Sequence, residues 1–180
     1  MKKAIGKYLT AAVLLLAQMT AGHPVQAADN VRLHGALVAE PCVIPPGDEE
    51  IELDFGTIID KYLYLNTRTL GQTFEIRLAE CDISLGKSVS VTLSGAESLV
   101  LPGLLAVSAG SQATGIAIGL ETPAGKAVPI NKTGDKYSLQ KGGNIITLRA
   151  YVRGEPQAIE RKTIGYGVFG AVVTFSLEYD

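Results

Sequence analysis

Apolar residues recur at every second position in seven separate stretches of this chain. They are Val31, Leu33, Gly35 and Leu37; Ile51, Leu53 and Phe55; Phe74, Ile76 and Leu78; Val89, Val91 and Leu93; Ile116, Ile118 and Leu120; Ile146, Leu148 and Ala150; and Val173, Phe175, Leu177 and Tyr179. Side chains of an extended strand alternate between its two faces, so each set lines one face of a sheet. Turn-forming runs separate the stretches: Pro45-Pro46-Gly47-Asp48, Leu85-Gly86-Lys87, Pro102-Gly103, Thr122-Pro123-Ala124-Gly125, Thr133-Gly134-Asp135 and Lys141-Gly142-Gly143-Asn144. No helical stripe stands among them. The pattern predicts an all-β domain, an antiparallel β-sandwich of immunoglobulin-like type, with room at 56–73 and 94–114 for short extra strands or loops. With 47% hydrophobic and 19% charged residues the chain is far from a disordered composition, and 180 residues without repeat, low-complexity tract or linker predict one domain.

Residues 1–27 read as something other than fold. Lys2, Lys3 and Lys7 precede an apolar run from Leu9 to Ala17, and Val25 and Ala27 place small residues at −3 and −1 of a cut after Ala27. This is the pattern of a secretory signal peptide; the run is about half the ~20 residues a membrane span requires. Cleavage removes three lysines and no acid, taking the formal charge from −2 to −5. No basic block remains, so the composition offers no footprint for nucleic acid or an anionic membrane surface.

Export to an oxidising compartment favours disulfides, and the two cysteines, Cys42 and Cys81, allow a single intramolecular pairing. Closing a loop of about 40 residues corresponds to about 4 kcal/mol in the chain-entropy account. The alternatives are two buried thiols or a metal site. For a metal, the mature chain offers only His34 beside the two cysteines, with no C-x-x-C spacing.

Both ends of the mature chain are alternating strands. The last one, Val173 to Tyr179, reaches Asp180; the first, Val31 to Leu37, precedes the first cysteine. As edge strands of a closed sandwich they would expose unpaired backbone beside apolar side chains.

Taken together, the residues resemble the pilus (fimbrial) subunits of the chaperone–usher pathway of Gram-negative bacteria. The resemblance rests on Val31 to Leu37 leading to Pro41-Cys42; Leu53-Asp54-Phe55-Gly56; Phe74 to Cys81; Gly142-Gly143-Asn144 ahead of Ala150-Tyr151; and a terminal strand with penultimate Tyr179 and Gly167 at the fourteenth position from the end. It spans nearly all of residues 28–180 and looks closest to the minor tip and adaptor subunits of P-type pili.

The resemblance implies an incomplete immunoglobulin-like sandwich lacking its last strand and completed by donor-strand exchange. Residues 28–38 would be the amino-terminal extension, with Val31, Leu33, Gly35 and Leu37 facing a neighbour's groove, and 39–180 the pilin domain. Gly167, Val173, Phe175, Leu177, Tyr179 and Asp180 would form the groove and the surface for a periplasmic chaperone, whose basic side chains would hold the Asp180 carboxylate. The implied partners are that chaperone, an outer-membrane usher and neighbouring subunits. The implied route runs through the periplasm to a cell-surface fimbrium acting in adhesion, with no metal, cofactor or small-molecule substrate. Full burial of Val173, Phe175, Leu177 and Tyr179 would contribute about 6–12 kcal/mol. Total domain stability is about 5–15 kcal/mol, which explains why an open groove needs filling.

Rival readings are weaker. A Ser/His/Asp enzyme needs a placed imidazole, and His34 stands in the extension. Asp48-Glu49-Glu50 reads as a solvated turn rather than a glycosidase pair, and Gly142-Gly143 follows a lysine and lacks phosphate-loop spacing. Asn131-Lys132-Thr133 fits a glycosylation pattern that a bacterial source would leave unused. A self-contained secreted β-sandwich that binds carbohydrate, and a fibre-terminating subunit, are the alternatives within the fold.

Overall fold

The structure is a computed structural model that describes residues 33–180. Val31 and the leader segment 1–27 lie outside the described residues. The chain divides into two compact units, Met1–Leu37 and Val38–Asp180. In the first, residues 33–37 belong to no strand, and Leu33 and Leu37 are fully exposed.

The second unit is an antiparallel sandwich. Its strands are β1 (Gln72–Cys81), β2 (Ser88–Gly95), β3 (Leu105–Ala106), β4 (Ile116–Glu121), β5 (Thr133–Ser138), β6 (Gly142–Gly154) and β7 (Val173–Tyr179). One sheet has the order β1-β6-β4-β3 and the other β5-β2-β7. Every pairing is antiparallel. Five of the seven alternating stretches fall within strands, and their apolar sets meet between the sheets: Ile76 and Leu78, Val89 to Leu93, Ile116 to Leu120, and Ile146 to Ala150 are buried.

The structure departs from the sequence pattern in four places. Ile51, Leu53 and Phe55 alternate but form no strand, because residues 44–59 have no paired partner beyond the bridge of Val43 with Ala79. Thr133-Gly134-Asp135, which reads as a turn, begins β5, held to β2 by backbone pairing that its polar side chains do not advertise. In Lys141-Gly142-Gly143-Asn144 the turn and the start of β6 overlap, with Gly142 at φ +92°. Two short helices also appear, α1 (Asp60–Asn66) and α2 (Pro156–Arg161). Each buries a single residue, Leu63 and Ala158, so neither is long enough to show a repeating apolar stripe.

Cys42 and Cys81 are joined in a buried disulfide. The alternation of β1 alone would turn Cys81 outward. A bulge between Leu78 and Cys81, with Glu80 at φ +52°, shifts the pleat by one residue and turns it to the core.

Candidate functional site

Strand β7 is the edge of its sheet. It pairs with β2 from Val89↔Tyr179 to Gly95↔Val173, and among the described residues no strand pairs with its other side. Asp180 and Ser88 exchange both backbone hydrogen bonds, at 3.0 and 3.1 Å. Bonded and non-bonded pairs alternate in an antiparallel ladder, so Thr174, Ser176 and Glu178 spend their amides on β2. The N–H and C=O groups of Val173, Phe175, Leu177 and Tyr179 therefore face away from it. The side chains of these same four residues point inward, yet each is only half-buried, whereas their counterparts Val89, Val91 and Leu93 on β2 are fully buried. A row of apolar side chains and a row of free backbone groups thus share one open edge.

The unpaired stretch that carries Leu53, Phe55 and Ile58 packs on the core. Phe55 reaches Phe169, with ring centroids 6.1 Å apart and tilted by 34°. Ahead of β7 lies a pocket of about 120 Å³ lined by Ile58, Leu63, Ile116, Val152, Ile164 and Phe169, among others. Gly167 stands on its wall rather than in β7. There φ is +133°, and a side chain would collide with Gln112. The segment is fixed by hydrogen bonds from Ser108 N–H to Gly170 O and from Gln112 N–H to Val168 O, both 2.8 Å.

At the far end of β7, the Asp180 carbonyl oxygen accepts from Lys87 N–H at 2.6 Å, and its side chain lies 2.7 Å from Lys136 Nζ. Burial pushes the Tyr179 phenol above its ordinary range, with the Glu40 charge acting in the same direction. Of the six residues expected at the groove, Val173, Phe175, Leu177 and Tyr179 lie on β7 with half-buried side chains, Gly167 lines the pocket ahead of it, and Asp180 stands at the end of the strand against Lys87, Ser88 and Lys136. Leu33, Gly35 and Leu37 are exposed in the separate first unit, and Val31 is outside the described residues.

The pattern did not reveal the pocket. Leu63 comes from a helix that the alternation does not show, and Ile164 and Phe169 precede the last alternating stretch. A signal existed: glycines at 165, 167 and 170 interleave with apolar residues from Ile164 to Val172, a strand-like run interrupted at Gly165 and Gly167 where a side chain has no room.

The other candidate chemistries find structural uses. The Asn131 carboxamide bonds both the N–H and the C=O of Gly95, at 3.1 and 3.0 Å, so it serves as a backbone mimic. Glu49 caps the turn by accepting from Gly47 N–H at 2.6 Å. Among the described residues no three His, Cys, Asp or Glu side chains gather as metal ligands.

Comparison with known proteins gives a consistent result. The family model described as fimbrial protein matches residues 31–180. The chain is 32% identical to the uncharacterized fimbrial-like protein YfcP of Escherichia coli K12, over 97% of this chain and 95% of that one. It is also 32% identical to the fimbrial adapter PapK of Escherichia coli, over 94% and 97% respectively. Among solved structures, the P pilus rod subunit PapA superposes with a TM-score of 0.68 at 25% identity, over 78% of this chain and all of that one.

Proposed function

Because this chain belongs to the fimbrial protein family of chaperone–usher pilus subunits, we propose that it polymerises by donor-strand exchange, as a minor or adaptor subunit contributing to adhesion. The family is one of structural subunits, not enzymes, and its members build surface pili of Gram-negative bacteria. The observation that carries the finer reading is the edge of β7, where half-buried Val173, Phe175, Leu177 and Tyr179 lie beside their own unpaired backbone groups. An extended strand laid there would supply main-chain partners and side chains together, which is strand addition to a sheet edge.

Residues 28–38 are the donor in this reading, with Val31, Leu33, Gly35 and Leu37 inward, and the pilin domain is 39–180. A signal peptide at 1–27 would bring the chain to the periplasm. There a chaperone would fill the groove first, holding the Asp180 carboxylate, before an usher passes the subunit to its neighbours. The adaptor position is supported by the resemblance to PapK. A terminating subunit fits less well, because the groove and its pocket are open. A self-contained carbohydrate-binding sandwich would have closed over the inward face of β7.

Periplasmic expression with the chaperone of the source organism tests the proposal. The subunit should purify as a chaperone complex, and Phe175→Asp or loss of Tyr179 and Asp180 should leave it degraded or aggregated. Soluble, unaltered monomers of both variants without chaperone would refute an incomplete fold.

A further inference from the structure

The outer edge of β1, the first strand of its sheet, is left open by the residues that precede it in the chain. Val43 and Ala79 exchange both backbone hydrogen bonds, at 2.9 and 2.8 Å. Carried on in that antiparallel register, the ladder would set Pro45 opposite Arg77, Gly47 opposite Glu75 and Glu49 opposite Thr73. Pro45 has no N–H to donate, and its carbonyl accepts from the Asp48 amide at 3.0 Å. The Gly47 amide, at φ +95°, donates to the Glu49 carboxylate at 2.6 Å. The chain therefore turns away from β1 after one rung.

Peptide groups of a strand point alternately to its two sides. Because those of Ala79 point to Val43, those of Thr73, Glu75 and Arg77 point the same way, away from β6. Among the described residues nothing pairs with them on that side. Across from them runs the stretch Asp48 to Leu53, and the two line an open cleft of about 390 Å³. Phe74 and Leu53, both packed on the core, give it apolar surface. Its charge is acidic: Glu75 and Arg77 neutralise each other at 3.1 Å, whereas Asp48, Glu50 and Glu52 stand in no ion pair among the described residues.

We propose that this edge binds an extended basic segment of a partner protein, which adds to the sheet as a strand beside β1. Two kinds of group select that occupant. The unpaired rungs at Thr73, Glu75 and Arg77 match a five-residue strand of about 14 Å, and main-chain partners in that register come from a peptide. Uncompensated Asp48, Glu50 and Glu52 favour cationic side chains on it. Its positions facing Phe74 and Ile76 point inward with them and take apolar residues, so the segment alternates basic and apolar. The edge of β7 belongs to the other sheet, so this site stands apart from the strand-accepting reading above.

The test titrates a labelled, end-blocked peptide Lys-Val-Lys-Val-Lys into the mature chain as it purifies from the periplasm, followed by fluorescence anisotropy. Binding should slow hydrogen exchange at the amides of Thr73, Glu75 and Arg77 and leave Phe175 and Leu177 unchanged. Glu50→Gln combined with Glu52→Gln, both exposed positions, should weaken binding about tenfold, as should about 0.5 M salt. N-methylation of the three lysines, which removes the donors of the ladder, should abolish binding without any change to the protein. Equal binding of the N-methylated peptide overturns strand addition, and equal binding of Glu-Val-Glu-Val-Glu overturns the basic occupant. Protection confined to Phe175 and Leu177 moves the peptide to β7 and overturns the site. Absence of binding at about 1 mM peptide overturns the proposal and leaves the reading of β7 as it stands.

Discussion

Gly167 shows how one residue shapes the groove. Its backbone occupies a region that side chains rarely adopt, and the space a side chain would fill belongs to Gln112. Gly167→Ala should therefore cost about 1–3 kcal/mol, read as a lower denaturation midpoint of the strand-filled subunit, and should slow peptide entry by distorting the pocket wall. Glu121 is a different case, remote from the groove. It is 3% exposed, and Arg68 grips both its oxygens at 2.9 and 3.1 Å. The same guanidinium lies 3.8 Å above the Tyr151 ring, a ring that overlies Gly119 where any side chain would block it. The hydrogen bond to Glu121 is the main reason the Arg68 pKa is raised. Glu121→Ala should cost about 2–3 kcal/mol, at the lower end for a broken buried pair because Arg68 is partly solvated, with peptide exchange rates unchanged. Chemical denaturation of both variants measures the two costs. Neither Glu121 nor Arg68 was legible in the sequence: a glutamate after Leu120 reads as a solvent-facing position, and its partner lies 53 positions away. Cys81 was legible as a partner for Cys42, but the bulge at Glu80 that turns it inward was not.

At the scale of elements, period-two alternation located five strands because their partners sit within the same chain. It mispredicted Ile51 to Phe55 as a strand for the converse reason: alternation reports a half-buried extended segment, not whether a hydrogen-bonded neighbour is present. β5 escaped because Thr133 to Ser138 carries a single large apolar side chain, Tyr137, packed on the core, too little to show alternation, so that its pairing with β2 is what marks it as a strand. The inward side chains of β7 follow from its alternation, whereas the pocket ahead of it depends on helix and loop positions that carry no periodic signal. The ladder of β7 makes a measurable claim. The amides of Ser176 and Glu178 are bonded to β2, whereas those of Phe175 and Leu177 point into the groove. In the subunit filled by a strand peptide, residue-resolved hydrogen exchange should find Phe175 and Leu177 as protected as Ser176. If they exchange rapidly while Ser176 does not, β7 remains an edge and no strand lies beside it.

At the scale of the whole molecule, the division after Leu37 separates two ways of using the first alternating stretch. In a closed sandwich a terminal strand belongs to its own core, and its loss costs the burial of its apolar face, about 1.5–3 kcal/mol for each large side chain. Here Leu33 and Leu37 bury nothing, and Val38–Asp180 forms a compact unit with its own disulfide. The described residues 33–37 are thus an exposed alternating segment that forms no strand, and β7 is an edge strand whose inward side chains are half-buried. A second molecule can satisfy both at once. Deleting residues 28–37 from the mature chain should leave the chaperone complex, the Cys42–Cys81 bond and peptide acceptance unchanged, while ending donation to any other subunit. Leu33→Asp should weaken donation by burying a carboxylate without a partner, and Gly35→Leu by overfilling a position matched to a glycine. The assay follows chaperone release when truncated or full-length subunit is mixed with a second chaperone-bound subunit, with thermal unfolding of each complex as the control. If the truncated chain unfolds in its chaperone complex, the first stretch belongs to its own core; if it still donates, the extension is not the donor.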